Sequence, residues 1–525
     1  MCGIFFTYNK DVEESRLLSE TRSLKGRGPD NSHEYVLGKY YFKFHRLSIN
    51  DLSEHGTQPF YYDDTIYMCN GEIYNHLQLS KEYNITLNSN SDCEIIGHLY
   101  RKVGFKKMIT LLDGYFSIIL YDKLSDTLYA GRDRMGVRAL YYGFDNENPF
   151  TNNKYSYGFS STLHSLNNFV NVQQFKSGYY WTSKSGYDRY YSLYEPLSPY
   201  YLSDEDSIIS KTRELLEKAV SKRFLSDRKI GCFLSGGFDS SMVVALVMKL
   251  NTLGYKISTF SIGFKESTDL KYARIVADHL GTDHHEVIVT EEEMLNAIPE
   301  VIRAVETYDT TTIRASTPMY LLSKYISTNT DIKVVFSGEM ADELSGSYKY
   351  FVNAPSVGEF SDESLRITSD LSYFDLLRGD KCVSYWGLEL RLPFADRDFI
   401  DFYMNVDPIF KLHNPIEKNI LRKAFCDILP ESVAWRKKEA FSDGVSSTDN
   451  SWYQIIGRYI DKLDVEKLVV INNKYNPPQL KETLYYRSLF DSYFPNREDI
   501  LPYYWLPKWC GNLVDPSARE IKVSN

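Results

Sequence analysis

Ile230-Gly231-Cys232-Phe233-Leu234-Ser235-Gly236-Gly237-Phe238-Asp239-Ser240-Ser241 is the stretch whose reading decides the fold of the second half of this chain. Ile230 to Leu234 is a short apolar run of strand length, and Ser240 to Leu250 carries a helical pattern. A Ser-Gly-Gly turn joins them. Working outward, Glu205 to Phe224 is helical, Ile257 to Phe264 is a second strand, and Leu270 to Leu280 is a helix stopped at Gly281. His285 to Val289 is a third strand, and Ile332 to Phe336 a fourth after two helical stretches. Strand–helix alternation of this length predicts a parallel sheet with helices on both faces. In such sheets ligands bind beyond the carboxyl ends of the strands, which is where Ser235 to Ser241 falls.

The chemistry of that turn suits an anion. Paired glycines allow close backbone approach, and successive N–H groups, a helix N-terminus and three serine hydroxyls can cradle phosphate. A plain turn capped by Ser and Asp is the alternative reading. There is no Gly-Lys-Ser/Thr, so this is not a Walker loop. Three later strings add charge. Ser337-Gly338-Glu339-Met340-Ala341-Asp342-Glu343 follows the fourth strand and brings carboxylates to the same crevice. The stretch from Glu306 to Ser316, with Thr310-Thr311-Thr312-Ile313-Arg314, mixes hydroxyls with one guanidinium and suits a small dicarboxylate. The stretch from Val433 to Gly444, with Arg436-Lys437-Lys438, returns cations to an acidic, phosphate-rich pocket. Each of these, taken alone, also fits a solvated charged loop.

The first half, residues 1–190, reads differently. Short runs such as Tyr40 to Phe44, Thr65 to Cys69 and Tyr115 to Leu120 alternate with Gly, Asn and Asp, and helix-like stretches run from Glu13 to Leu24 and from Asp92 to Val103. This predicts an α+β sandwich, two β-layers covered by helices. Cys2 follows Met1 directly. Removal of Met1 would leave a thiol and a free α-amine on one residue, nucleophile and base together. Polar strings at the strand ends supply what an amino-acid substrate needs. They are Arg27-Gly28-Pro29-Asp30, His45-Arg46-Leu47-Ser48-Ile49, Asn70-Gly71-Glu72-Ile73-Tyr74-Asn75 and Ser91-Asp92-Cys93-Glu94. Arg46 offers a fork for an α-carboxylate, and Glu72 and Asp92 offer carboxylates for an α-ammonium. The Asn70 side chain and the Gly71 N–H offer two donors to an oxyanion. The competing reading is a type I′ turn at Asn70-Gly71 with surface charges elsewhere.

Bulk properties bound the rest. A chain of 525 residues predicts two domains, here 1–190 and 205–525 around a turn-rich linker from Asp188 to Asp204. The net charge of −10 and the absence of a basic run argue against nucleic acid and anionic membrane. No apolar stretch reaches transmembrane length, and the N-terminus lacks a secretory h-region. Seven irregularly spaced cysteines with no CxxC point to the cytoplasm. His279, His284 and His285 sit at a helix end and the following strand, a structural setting in preference to a metal site.

Taken together, the motifs of residues 1–185 resemble the class II glutamine amidotransferases, whose fold is the N-terminal-nucleophile sandwich. The Ser235 loop looks like the SGGxDS loop of the ATP pyrophosphatases, which cleave ATP between the α and β phosphates. With Trp386-Gly387-Leu388-Glu389-Leu390-Arg391-Leu392-Pro393-Phe394 added, the chain resembles the glutamine-dependent asparagine synthetases to about residue 490. The resemblance implies that Cys2 attacks the glutamine amide, with Arg46, Leu47, Ser48, Ile49, Asn70, Gly71, Glu72 and Asp92 binding glutamine. It implies an ATP site at Leu234, Ser235, Gly236, Gly237, Asp239, Ser240, Ile262, Ser337 and Gly338, with Mg²⁺ on Asp239 and Asp342. Glu339 matches the glutamate implicated in forming β-aspartyl-AMP and promoting ammonia attack, and Lys438 the lysine that stabilises adenylation. Substrates would be glutamine, aspartate and ATP, with ammonia passing inside a protein that forms a homodimer. Rival readings are an amidotransferase that adenylates another carboxylate, and a degenerate, non-catalytic member. Retention of Cys2, Arg46, Glu72, Asp239, Glu339 and Lys438 argues against the second.

The chain departs from the family pattern at three places. Met340 and Ala341 replace Gly-Ser in Ser-Gly-Glu-Gly-Ser-Asp-Glu, Gly346-Ser347-Tyr348 replaces Gly-Gly-Tyr or Gln-Gly-Tyr, and Phe238 replaces leucine. If the replaced glycine has positive φ, Met340 carries strain on the order of 1–2 kcal/mol.

Overall fold

The computed structural model describes residues 1–145, 155–195, 202–413, 416–447, 449–464, 468, 470 and 474–516. Part of the predicted linker and the extreme C-terminus thus lie outside the described residues. The chain forms two compact units. The first is Met1–Ser192 with Leu225–Arg228 and Asp380–Glu389, and the second is Leu193–Phe224, Lys229–Gly379 and Leu390–Asn525.

The first unit contains two six-stranded sheets. One runs, in spatial order, Asn171–Gln174, Tyr141–Phe144, Tyr157–Ser160, Gly3–Tyr8, Tyr40–Arg46 and Asn31–Leu37, all antiparallel. The other runs Gly186–Arg189, Tyr179–Thr182, Thr127–Arg132, Gly114–Asp122, Thr65–Ile73 and Phe60–Tyr62, again antiparallel. The period-2 pleat explains the apolar runs in the second sheet. Ile66, Met68 and Ile119 pack with Ile4, Phe6, Phe42 and Phe44 of the first sheet, forming the sandwich core. Their neighbours Tyr67, Cys69, Ile118 and Leu120 point the other way, onto Ile95, Ile96 and Leu99 and onto Met108 and Ile109, from the helices Ile95–Val103 and Phe105–Leu111. Both faces of this sheet are buried, so its strands read as continuous apolar segments.

Two local expectations change. The single helix predicted over Glu13 to Leu24 is two, Val12–Ser19 and Arg22–Lys25, with Glu20 closing the first outside helical geometry at ψ 14. Asn70-Gly71 is not a hairpin turn. Both residues lie inside the strand Thr65–Ile73, Asn70 opposite Ser117 and Gly71 opposite Phe116. A Cβ on Gly71 would stand 1.9 Å from the Tyr115 carbonyl oxygen, so close approach of the neighbouring strand explains the glycine.

The second unit holds a five-stranded sheet in the order Asp283–Ile288, Ser258–Gly263, Ile230–Phe233, Val334–Phe336, Glu389–Arg391. The first four pair in parallel. The predicted helices are present as Glu205–Lys222, Phe238–Leu250 and Thr268–Leu280, and Gly281 closes the last in the left-handed region at φ 71. Glu389–Arg391 is an unpredicted edge strand, drawn from the string that follows Trp386. Ile230–Phe233 has a later strand on each side, Ser258–Gly263 and Val334–Phe336. The order reverses there, which puts the Ser235 turn at the topological switch point.

Candidate active sites

Cys2 sits immediately before the strand Gly3–Tyr8 and is partly buried. Its Sγ accepts from the Leu47 N–H at 3.4 Å and lies 3.6 Å from the Leu47 carbonyl oxygen. Burial pushes the thiol up, while the nearby terminal ammonium, the Leu47 N–H and Arg46 pull it down. With Met1 in place that ammonium belongs to Met1, 1% exposed, and lies 3.6 Å from Glu389 Oε2. The amine of Cys2 is then an amide, so the proposed base exists only once Met1 is removed. Arg27 Nε donates to the Cys2 carbonyl at 3.0 Å, while its terminal nitrogens grip Asp380 at 2.7 and 3.2 Å.

The other predicted glutamine ligands divide into two groups. Arg46 is buried and donates through NH1 to Ser53 O at 2.6 Å and Thr57 Oγ1 at 3.1 Å, and through NH2 to Asp51 O. The loop 51–57 therefore fixes its plane. Ser48 N donates to Asp30 Oδ2 at 2.8 Å, and Ile49 is buried with its carbonyl accepting from Asp227 N at 2.9 Å. Glu72 and Asp92 are joined by a residue that sequence reading missed. Asn50 donates to Glu72 Oε2 and, at 3.1 Å, to Asp92 Oδ1. It directly follows the predicted string at Ile49, the only signal that could have found it. Asp92 also accepts from Ile73 N at 2.6 Å, yet burial leaves its carboxyl above the usual range. Asn70 is 0% exposed, and neither its amide nitrogen nor its oxygen has a hydrogen-bond partner among the described residues. A buried amide left this way costs about 1–3 kcal/mol unless a ligand satisfies it.

In the second unit a cleft with about 1000 Å³ of open space lies at the carboxyl ends of the strands. Leu234, Ser235, Gly237, Asp239, Ser240, Ile262, Ser337 and Gly338 all line it, as do Glu339, Asp342 and Lys438. Gly236 lies between two lining residues, Ser235 and Gly237; it has φ +70, and a Cβ there would stand 2.3 Å from Ala273 N, so the turn and its close packing on the helix Thr268–Leu280 require glycine. Gly338 allows a second close approach, since its Cβ would lie 2.8 Å from Ser240 N.

The charges in this cleft form an alternating chain. Lys418 Nζ contacts Asp239 Oδ2 at 2.5 Å and Asp342 Oδ1 at 2.7 Å, and Lys438 Nζ contacts Asp342 Oδ2 at 2.6 Å. Burial pushes the Asp342 carboxyl up, but Lys418 and Lys438 hold it well below the usual range. Burial lowers the Lys438 ammonium, and Asp342 with Asp239 more than reverse this. Asp239 stays above the usual range because burial outweighs Lys418, and its Oδ1 is buried without a hydrogen-bond partner among the described residues. Glu339 stands apart from that chain. Arg378 NH2 lies 3.0 Å from its Oε1, and burial, opposed by Arg378, raises its carboxyl to about 7. Lys418 went unnoticed in the sequence because Glu417-Lys418-Asn419 is an ordinary helix start. It caps the helix Asn419–Phe425 from φ 58. Lys437 is exposed at the rim.

Met340 has φ 75 and ψ −11 and is 2% exposed. The replaced glycine falls at a left-handed position, so the condition for backbone strain is met, directly beside Glu339. His284 bonds Thr259 and Ser261 at 2.9 and 3.1 Å, a structural role. Among the described residues no group of three or more His, Cys, Asp or Glu side chains could hold a metal.

A second cavity in the same unit shares Asp342, Arg378 and Lys438 with the first and reaches Thr311 and Arg314. Arg314 lies in the helix Thr310–Asn329, whose N-terminus Asp309 caps through Thr312 N at 2.8 Å.

An antiparallel sandwich headed by a cysteine and a parallel sheet with an SGGxDS turn define a glutamine amidotransferase unit joined to an ATP-pyrophosphatase-type unit. Residues 1–185 match the glutamine amidotransferase domain family, and 211–368 and 353–499 match the asparagine synthase family. The chain belongs to the glutamine-hydrolysing asparagine synthetase family. It is 40% identical to a probable asparagine synthetase [glutamine-hydrolyzing] of Acanthamoeba polyphaga mimivirus, covering 100% of both chains. It is 39% identical to the asparagine synthetase [glutamine-hydrolyzing] of Mus musculus and 38% identical to that of Homo sapiens, covering 99% of this chain and 98% of each relative.

Proposed function

We propose that the chain makes L-asparagine from L-aspartate, with glutamine as nitrogen donor and ATP cleaved to AMP and pyrophosphate. The 1–190 region acts as the glutaminase and 205–525 as the synthetase. After loss of Met1 the Cys2 amine takes the thiol proton, and the thiolate attacks the glutamine amide. The unpartnered Asn70 amide and the Gly71 N–H receive the oxyanion. Arg46, with Leu47, Ser48 and Ile49, holds the α-carboxylate end, and Glu72 and Asp92, pinned by Asn50, hold the α-ammonium.

In the second unit Lys438 and Lys418 turn toward the phosphates as aspartate attacks the α-phosphorus and pyrophosphate leaves. Mg²⁺ fits the donor set of Asp239 and Asp342, two hard carboxylates of which Asp239 has a buried, unpartnered oxygen. When bound it would neutralise phosphate charge. Glu339, raised to about 7, suits a group that accepts a proton from incoming ammonia near neutral pH. The aspartate carboxylates fit the cavity at Thr311 and Arg314. The observation that carries this reading is the Lys438–Asp342–Lys418–Asp239 chain at the SGGFDS turn, beside a separate, protonatable Glu339. Product analysis with glutamine, aspartate and ATP tests it. AMP, pyrophosphate and asparagine in equal amounts are expected, and ADP with phosphate would reject adenylation. The sparse free cysteines support a cytoplasmic protein, and sedimentation would test the expected homodimer.

A further inference from the structure

The guanidinium of Arg314 is already saturated with carboxylates. Glu482 accepts from Nε at 2.9 Å and from NH2 at 2.6 Å. Asp515 accepts from NH1 at 2.9 Å and from NH2 at 3.0 Å. Two two-point carboxylate contacts leave at most one of the five guanidinium N–H groups for any ligand. One guanidinium against two carboxylates also leaves a net negative charge where a dicarboxylate is to bind. The two contacts are unequal in depth. The side chain of Glu482 is 8% exposed, whereas that of Asp515 is 23% exposed.

Asp515 arrives on a segment that is strapped down beside the cavity. Trp505, Trp509, Cys510 and Leu513 pack against Tyr350, Phe351, Phe360 and Ile367. Tyr503 donates to Asp370 at 2.6 Å, and Lys508 lies 2.9 Å from Glu363. Tyr503, Trp505 and Pro516 line the cavity itself. The strap therefore carries an aspartate side chain held in two-point contact with the arginine assigned to the substrate aspartate.

We propose that Asp515 is an internal mimic of the amino-acid substrate, which occupies Arg314 and must be displaced before free aspartate binds. The proposal rests on the reading of this cavity as the aspartate site. Displacement would free one NH1 and one NH2 donor of an arginine that lines the cavity and remove one negative charge, while Glu482 keeps the guanidinium in place. A competitor that holds its site about nine-tenths of the time weakens apparent affinity about tenfold. Asp515 is thus a residue that sets substrate affinity without touching the reacting atoms.

The test measures aspartate KM and kcat in the full-length protein, with ammonia as nitrogen donor, for Asp515→Asn and Asp515→Ala, alongside thermal unfolding. Both variants should lower aspartate KM by about tenfold, with kcat within about twofold. A structural tie alone would lower the unfolding temperature and leave KM unchanged or raised, and that result in both variants overturns the proposal. Arg314→Lys keeps the charge but loses the fork. A raised aspartate KM in Arg314→Lys without a lowered KM in the Asp515 variants sinks the mimic and spares the site. An unchanged KM in Arg314→Lys sinks the aspartate site and the mimic with it.

Discussion

The two candidate sites solve the problem of buried polarity in opposite ways. Around Cys2 the charged groups assigned to glutamine are held singly, by hydrogen bonds to neutral partners. Asn50 ties Glu72 to Asp92, backbone carbonyls hold Arg46, and the Asn70 amide is left without a partner. In the cleft of the second unit the groups are charged and mutually neutralised, lysine against aspartate along Lys438, Asp342, Lys418 and Asp239. The first arrangement is preorganised for one small oxyanion and needs little rearrangement. The second carries its charges as pairs that a polyphosphate can reorganise, because removing one partner from a buried pair is costly while exchanging partners is not.

This contrast predicts that single substitutions at the two sites fail differently. The largest effect is expected for Cys2→Ala, which should reduce glutamine-dependent synthesis by roughly 10⁴-fold or more and leave ammonia-dependent synthesis intact. Glutamine hydrolysis surviving in that variant would remove Cys2 from its role. An uncleaved N-terminal extension should act the same way, because it leaves the Cys2 nitrogen an amide. Next comes the charged cleft. Lys438→Ala should slow aspartate-dependent pyrophosphate release by about 10²–10³-fold, the scale of a fixed electrostatic contact in a water-excluded site. Lys437, exposed at the rim, should lose far less on truncation to alanine, since exposed charges are worth about 0–1 kcal/mol. Similar small losses for both lysines would dissolve the contrast between the two sites.

Glu339 sharpens the comparison through pH. Burial raises its carboxyl to about 7 in the folded chain, against roughly 4.3 unfolded. The folded state therefore binds this proton more tightly, so ionising Glu339 destabilises the fold progressively from about pH 4 to 7. Glu339→Gln should abolish most ammonia-dependent synthesis. The same variant should gain thermal stability relative to the parent as pH rises through that window, with no further gain above it. A stability difference that does not change between pH 5 and 8 would show that Glu339 titrates normally. The glutaminase reaction of the variant should keep its parent pH profile.

How much of this was legible in the sequence follows from locality. Cys2, Asn70-Gly71 and the Ser235 turn are contiguous strings whose backbone and side chains act together, so their positions follow from strand–turn–helix order. Lys418 and Arg378 act from segments far away in sequence, and nothing near them differs from an ordinary helix residue. Asp515 lies 201 positions from Arg314, and only the folded strap brings the two together. The strand character of Asn70-Gly71 was hidden for a different reason. Its dipeptide favours a hairpin turn locally, and pairing with Phe116 and Ser117 overrides that preference. Gly236 is needed for a second reason that the string does not show, since its left-handed backbone packs it closely onto Ala273.

The smallest expected effect concerns Met340, where two energies of similar size oppose each other. Its left-handed backbone carries about 1–2 kcal/mol of strain, which glycine would relieve. Its side chain is 2% exposed, and deleting a buried methionine side chain costs about 2–5 kcal/mol. Met340→Gly should therefore be less stable than the parent in spite of the relieved backbone. The strain can be isolated by a second variant. Met340→Ala loses nearly the same buried atoms but keeps a Cβ at φ 75, so it should be less stable than Met340→Gly by about 1 kcal/mol. Chemical denaturation of the two variants, followed by a probe in the second unit, measures that difference directly. If Met340→Ala proves as stable as Met340→Gly, the left-handed backbone beside Glu339 carries no strain. The replacement of the family glycine is then neutral, and packing by the methionine side chain alone accounts for its presence.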